Sequence, residues 1–139
     1  MIERGAPRIF ISAGEPSGDL HAAPVVGALR DRYPGASIEA LGGPRMEQAG
    51  AMLRYRMEGL AAFGVVEVVT KIRAHYRLLR ALREDFRSGR YDLVILVDYP
   101  GFHLRVAEAA HATGTKVLYY IAPSSGPGAQ AGLAGLQPR

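Results

Sequence analysis

Asp92-Leu93-Val94-Ile95-Leu96-Val97 is the stretch whose reading decides the fold. Its aliphatic run offers no polar face, and Asp98-Tyr99-Pro100-Gly101-Phe102 turns the chain directly afterwards. A continuous Val/Ile/Leu run closed by turn residues is what a parallel strand covered on both faces requires. It predicts a central strand over residues 92–97 with a loop at its carboxyl end.

Helices flank that strand. Upstream, apolar residues recur at helical spacing through Val65, Val68, Val69, Ile72, Tyr76, Leu79, Leu82 and Phe86, with Gly89 as the stop. Downstream, a helix to residue 113, then Gly114, leads into KVLYYI at residues 116–121. Nearer the start, RIFISA (8–13) reads as a buried strand. A helix follows to residue 33, capped by Ser17 or Asp19 and carrying Pro24, which belongs in a first turn or kinks the helix. SIEAL (37–41) reads as a further strand, Gly42-Gly43-Pro44 opens a short helix, and residues 51–63 read as a short strand near 52–55 and a loop. This alternation predicts a Rossmann-like, doubly wound, mainly parallel α/β sheet.

Length and composition bound the function. The 139 residues make one domain, 48% hydrophobic and 22% charged, as in ordinary globular proteins. With no cysteine, a disulfide scaffold, a thiolate metal site and a cysteine nucleophile are excluded. No stretch has signal-peptide character, and no apolar run approaches the roughly 20 residues of a membrane span. The net charge of +4 is concentrated: residues 71–90 carry Lys71, Arg73, Arg77, Arg80, Arg83, Arg87 and Arg90 against Glu84 and Asp85. That points to a local patch for an anionic partner.

Ligands of such sheets bind beyond the carboxyl ends of the strands. The loop Gly14-Glu15-Pro16-Ser17-Gly18-Asp19 stands there, without the G-x-G-x-x-G or G-x-x-x-x-G-K-[ST] phosphate pattern. It reads either as a tight turn with a cap or as a hydroxyl- or sugar-binding loop contacting through Glu15, Ser17 and Asp19. Asp98 follows the buried strand directly: it either caps the next helix or, partly desolvated in the crevice mouth, acts as a general base. Tyr99-Pro100-Gly101 stiffens its loop. Gly42-Gly43-Pro44-Arg45-Met46 is a turn, or a close-approach site where Arg45 pairs with a phosphate or carboxylate. The 65–90 helix is a core helix with a solvated basic face, or an interfacial helix on anionic lipid; Gly64-Val65-Val66-Glu67-Val68-Val69 carries more apolar surface than one core stripe needs. His21, His75, His103 and His111 lack metal-ligand spacing; His75 and His111 read as surface or half-buried residues, and His103 is singled out by its nearness to Asp98. No metal and no cofactor is expected, and no nucleic-acid-binding pattern is present.

Six of these motifs occur together in order. They are residues 12–19 (SAGEPSGD), 42–46 (GGPRM), 57–60 (MEGL), 63–68 (FGVVEV), 97–102 (VDYPGF) and 119–124 (YYIAPS). Over roughly residues 7–124 the chain resembles lipid-A-disaccharide synthase, a glycosyltransferase of lipid A assembly. The resemblance implies the N-terminal half of a two-domain GT-B fold, with residues 1–124 as the acceptor- and membrane-side domain. It implies transfer of 2,3-diacylglucosamine from a UDP carrier to 2,3-diacylglucosamine 1-phosphate, forming a β-1,6 disaccharide and UDP, without metal, at the inner face of the inner membrane. Its partners are thus a UDP-sugar lipid donor, a lipid monosaccharide phosphate acceptor and an anionic membrane surface. It makes Asp98 the general base and places Glu15, Ser17, Gly18, Asp19 and Arg45 around the substrate. It turns Val65, Val66, Val68, Val69 and Ile72 toward lipid. Position 103 is often Asn in this family, and His103 departs from that.

The resemblance ends at the Ala-Pro-Ser segment, where the family continues Val-Trp-Ala-Trp. Here Ser125-Gly126-Pro127-Gly128 follows, encodable as TCT GGG CCT GGG, which contains TGG GCC TGG, Trp-Ala-Trp, in another frame. Residues 125–139 are therefore expected to be a disordered, out-of-frame tail. The expectation is that the 139 residues do not catalyse transfer alone. A non-catalytic lipid- or nucleotide-binding Rossmann module is the alternative. A nucleotide-cofactor enzyme is disfavoured by the missing G-x-G-x-x-G.

Overall fold

The computed structural model describes residues 6–60 and 65–121. The expectation for residues 125–139 lies outside the described residues.

Five strands form one sheet: β1 (Arg8–Ala13), β2 (Ser37–Gly42), β3 (Met52–Arg56), β4 (Leu93–Val97) and β5 (Lys116–Tyr120). Their order is β3-β2-β1-β4-β5, and every pairing is parallel. Between them run α1 (Pro16–Arg32), α2 (Pro44–Gln48), a 3-10 turn (Met57–Leu60), α3 (Val65–Arg87) and α4 (Pro100–Ala112). Residues 51–63 thus hold β3 and the 3-10 turn, with 61–63 outside the described residues.

The aliphatic run of β4 does what its composition predicts. Val94 and Leu96 enter a core with Phe10, Leu79, Leu82, Phe86 and Val106, on the side of α3 and α4. Ile95 and Val97 enter a second core with Ile9, Ile11, Ala22, Val26, Ile38 and Met46, on the side of α1 and α2. Successive residues alternate between two covered faces, so neither face can be polar. β4 pairs with β1 from Ile9↔Leu93 to Ala13↔Val97, which brings the two strands to the same level at their carboxyl ends.

Two carboxylate clusters tie elements together across the sheet. Arg90 grips Glu39 with two bonds of 2.8 Å, and the Tyr91 hydroxyl donates to the same carboxylate at 2.7 Å. The Arg90 guanidinium, chiefly, holds the Glu39 carboxyl below its usual range. Arg54 holds Asp85 at 2.9 and 2.8 Å, and Tyr55 donates to it at 2.7 Å, fixing the end of α3 to β3.

One expectation about α1 is corrected. Neither Ser17 nor Asp19 caps it; the helix begins at Pro16 with Glu15 at the cap position and no side-chain cap bond. Proline already has its φ set for a first helical position and lacks an N–H to satisfy there. Pro24 lies inside the helix, exposed on the solvent side, where the missing N–H costs no buried partner.

Candidate functional site

The chain leaves β1 toward β2 and leaves β4 toward β5, on opposite sides, so the β1/β4 boundary is the switch point of the sheet. In sheets of this kind the ligand crevice lies there, beyond the carboxyl ends of the strands. The loops that follow β1 and β4 touch directly. Gly14 is buried, and a Cβ on it would lie 2.4 Å from Cδ2 of Tyr99, so only glycine leaves room for that ring. Gly18 lets the first turn of α1 settle on Ala13, whose Cβ would be 3.1 Å from an added one.

Asp98 and Tyr99 both have left-handed backbone, φ 48° and 53°. For non-glycine residues this costs about 1–2 kcal/mol each and persists only where the surroundings impose it. The surroundings are visible. The Asp98 N–H donates to the Tyr120 carbonyl at 3.0 Å, and the Asp98 carbonyl accepts from the Tyr119 hydroxyl at 2.7 Å. It also accepts from Nδ1 of His103 at 2.6 Å. The Tyr99 carbonyl accepts the His103 N–H at 3.1 Å. Tyr99, rather than Asp98, stands at the cap position of α4, and its side chain makes no cap bond.

His103 is fully buried, and burial pushes its imidazole down to about 4. It is therefore neutral at pH 7. A carbonyl can only accept, so Nδ1 carries the hydrogen; Nε2 then accepts from the Ser12 hydroxyl at 2.8 Å. Ser12, His103 and Asp98 are not a nucleophile triad. Ser12 is buried within β1, and Asp98, itself half-buried, meets the histidine through its main-chain oxygen. The trio braces the strained loop.

The other expected site residues separate into exposed and structural ones. Glu15 and Ser17 are exposed at the start of α1, with the Ser17 hydroxyl donating to Glu15 at 3.2 Å. Gly18 is buried. Asp19 faces inward: its carboxylate accepts the backbone N–H groups of Gly43 at 3.1 Å, Met46 at 3.0 Å and Arg45 at 3.1 Å. It thereby caps α2 from another helix, since Gly43 at the cap position has no side chain to do so. A Cβ on Gly43 would sit 2.7 Å from Oδ2 of Asp19, so the glycine is required for that approach. Arg45 is exposed on the first turn of α2, held beside α1 through this link.

Along α3, Val69 (54% exposed) and Ile72 (64%) face outward, as does Tyr76 (67%). The side chains of Val65, Val66 and Val68 lie outside the described residues. His75 donates from Nδ1 to the Lys71 carbonyl at 2.7 Å, and its Nε2 accepts from the Tyr99 hydroxyl at 2.7 Å. This joins the exposed apolar face of α3 to the Asp98 loop. His75 and His103 are the structural residues that spacing alone did not expose. For His103 a signal existed: it shares the buried face of α4 with Val106 and Ala110, where a polar residue needs partners. No helix among the described residues is long and apolar enough to cross a membrane.

A family model described as Lipid-A-disaccharide synthetase matches residues 9–125. The chain is 40% identical to a lipid-A-disaccharide synthase of Nitrosococcus oceani, over 88% of this chain and 32% of the relative. It is 42% identical to one of Geobacter sulfurreducens over the same shares, and 41% identical to one of Alteromonas mediterranea over 84% and 31%. The chain thus spans about a third of the length of the curated relatives it matches. Among solved structures, a C-terminal domain of a hydrogenase from Pyrococcus furiosus superposes with a TM-score of 0.60 at 20% identity, covering 86% of this chain and 95% of that one. That likeness is one of fold alone.

Proposed function

The chain belongs to the lipid-A-disaccharide synthase family, and on that premise we propose that it forms the acceptor- and membrane-side domain of a glycosyltransferase of GT-B architecture. The reaction transfers 2,3-diacylglucosamine from its UDP carrier to the 6-hydroxyl of 2,3-diacylglucosamine 1-phosphate, releasing UDP. Asp98 is the general base. It takes the proton of the attacking hydroxyl as oxygen closes on the anomeric carbon and the bond to UDP breaks.

The observation that carries this reading is the Asp98 loop. A carboxylate at the switch-point mouth is presented on a left-handed pair of residues, and three hydrogen bonds to the Asp98 main chain hold it in place. Strain of this kind persists where placement of a group matters, and a positioned base contributes about 10²–10⁴-fold. In this reading Glu15, Ser17 and Arg45 contact sugar hydroxyls or a phosphate, with Gly18 and Asp19 shaping their loops. The exposed Val69 and Ile72, with Val65, Val66 and Val68 on the same helix, rest on anionic lipid at the inner face of the inner membrane.

The test joins this chain at its matched end to the remaining two thirds of the Geobacter sulfurreducens relative. UDP-diacylglucosamine and the acceptor phosphate are supplied, and disaccharide is followed by mass spectrometry. The joined protein should form disaccharide and the 139 residues alone should not, because positioning of the donor, worth roughly 7–11 kcal/mol of barrier, is missing. A folded chimera that binds both substrates yet forms no product would favour a non-catalytic binding module.

A further inference from the structure

Between α3 and α4 runs an open groove of about 840 Å³. Its volume lies within the range of small-molecule sites, roughly 300–1,000 Å³. Its chemistry is divided. Ile72, Tyr76 and Phe102 supply an apolar wall along the helices, and Lys71, Arg83 and Arg105 supply cations. Among the described residues no carboxylate lines it. Among the described residues, too, none of these three cations is in a salt bridge, whereas Arg8, Arg54, Arg56 and Arg90 each are. Apolar surface bordered by uncompensated positive charge fits a ligand that is itself half hydrocarbon and half anion. We propose that this groove binds one acyl chain of a phosphorylated lipid monomer, with Arg83 and Arg105 on its anionic head and Ile72 and Tyr76 along the chain.

The groove is also coupled to the candidate site. Tyr99 is in its wall, adjoins Asp98 in sequence, and bonds His75, which is in the wall too. The His75 ring stacks on Tyr99 at 5.6 Å between centroids and meets Phe102 edge-on at 5.0 Å. A chain seated there would lie against Tyr99, which is part of the strained loop, and His75, which bonds to it. The inference rests on the proposed function only in giving the groove an acceptor-like ligand. A flat bilayer surface is a different occupant: it needs the exposed face of α3 and makes no use of Arg105 on α4.

The experiment titrates the 139-residue chain with octyl phosphate, decyl phosphate, decyl maltoside and inorganic phosphate, the amphiphiles below their micelle concentrations, with amide shifts read by NMR. Decyl phosphate should perturb residues of α3 and α4 around the groove. It should bind roughly fifteenfold more tightly than octyl phosphate, at about fourfold for each of the two extra buried methylenes. Decyl maltoside and inorganic phosphate should each bind at least fivefold more weakly. Arg83→Glu with Arg105→Glu, both exposed and so without consequence for folding, should weaken decyl phosphate at least tenfold and leave decyl maltoside unchanged. Tyr76→Ser should weaken both. Equal binding of the neutral amphiphile, equal binding of inorganic phosphate, shifts centred elsewhere, or an unaffected double variant would each overturn the proposal. Binding is the only readout, so absence of glycosyl transfer would count against the proposed function and leave the groove standing.

Discussion

Nδ1 of His103 donates to the main-chain carbonyl of Asp98 at 2.6 Å, from a side chain with no exposed surface. This bond, with the Ser12 hydroxyl behind the ring, links the carboxyl end of β1 to the loop after β4. The arrangement suits a neutral ring, which donates on one side and accepts on the other.

That neutrality gives the fold a pH dependence. The His103 imidazole, near 4 when folded, returns to about 6.5 in the unfolded chain. The unfolded state therefore binds the extra proton first, and stability falls as pH drops from about 6.5 toward 4. Between pH 7 and pH 5 the loss should be on the order of 2 kcal/mol for the native chain and much smaller for His103→Asn. The lowered carboxyls of Glu39 and Asp92 act over a lower range: their stabilisation is present above their ordinary values and lost as pH falls through the depressed ones. Urea midpoints at pH 7 and 5 for both proteins separate these effects. Equal losses in the two would contradict the assignment.

Asp19 should behave as a structural residue first. Asp19→Ala leaves the N–H groups of Gly43, Arg45 and Met46 without their acceptor, and we expect a cost of about 2–4 kcal/mol. Hydrogen exchange would show it locally, with those three amides losing protection by a larger factor than the amides of β2.

Gly14→Ala tests the contact between the two site loops. The new methyl would meet the base of the Tyr99 ring rather than a flexible tip, so the ring must leave. The expected penalty is about 1–3 kcal/mol, with the His75–Tyr99 bond broken. The loss of that bond can be read from the His75 imidazole resonances.

The layered sheet was legible because its signals are local. The run at β4 and the turn residues after it are properties of a dozen neighbouring positions, and so is the helical spacing of α3. What could not be read was which polar groups meet. Asp19 looks like a cap for its own helix, but Pro16 takes the start of α1, and the unfilled need is at Gly43, far along the chain. His75 reads as surface or half-buried and is half-buried; what could not be read is its partner, Tyr99, which comes from another element. Asp98 was legible as a candidate base from its place after a buried strand. The brace that holds it depends on Ser12 and Tyr119, which reach it only once the sheet has formed.

The exposed face of α3 gives a further expectation. Val69→Ser with Ile72→Ser changes two outward side chains, so stability should stay within about 0.5 kcal/mol. Binding to phosphatidylglycerol vesicles, measured by co-sedimentation, should weaken several-fold if that face rests on lipid. Unchanged sedimentation would remove it as the membrane contact.

That Asp98 takes the proton of the acceptor hydroxyl is tested most directly by turnover of the Asp98→Asn variant of the chimera. Asn keeps the size and the left-handed backbone preference of the residue and removes the base. We expect turnover to fall by about a hundredfold or more, with acceptor binding and the urea midpoint little changed. Turnover within a few-fold of the unsubstituted chimera would contradict the role given to Asp98.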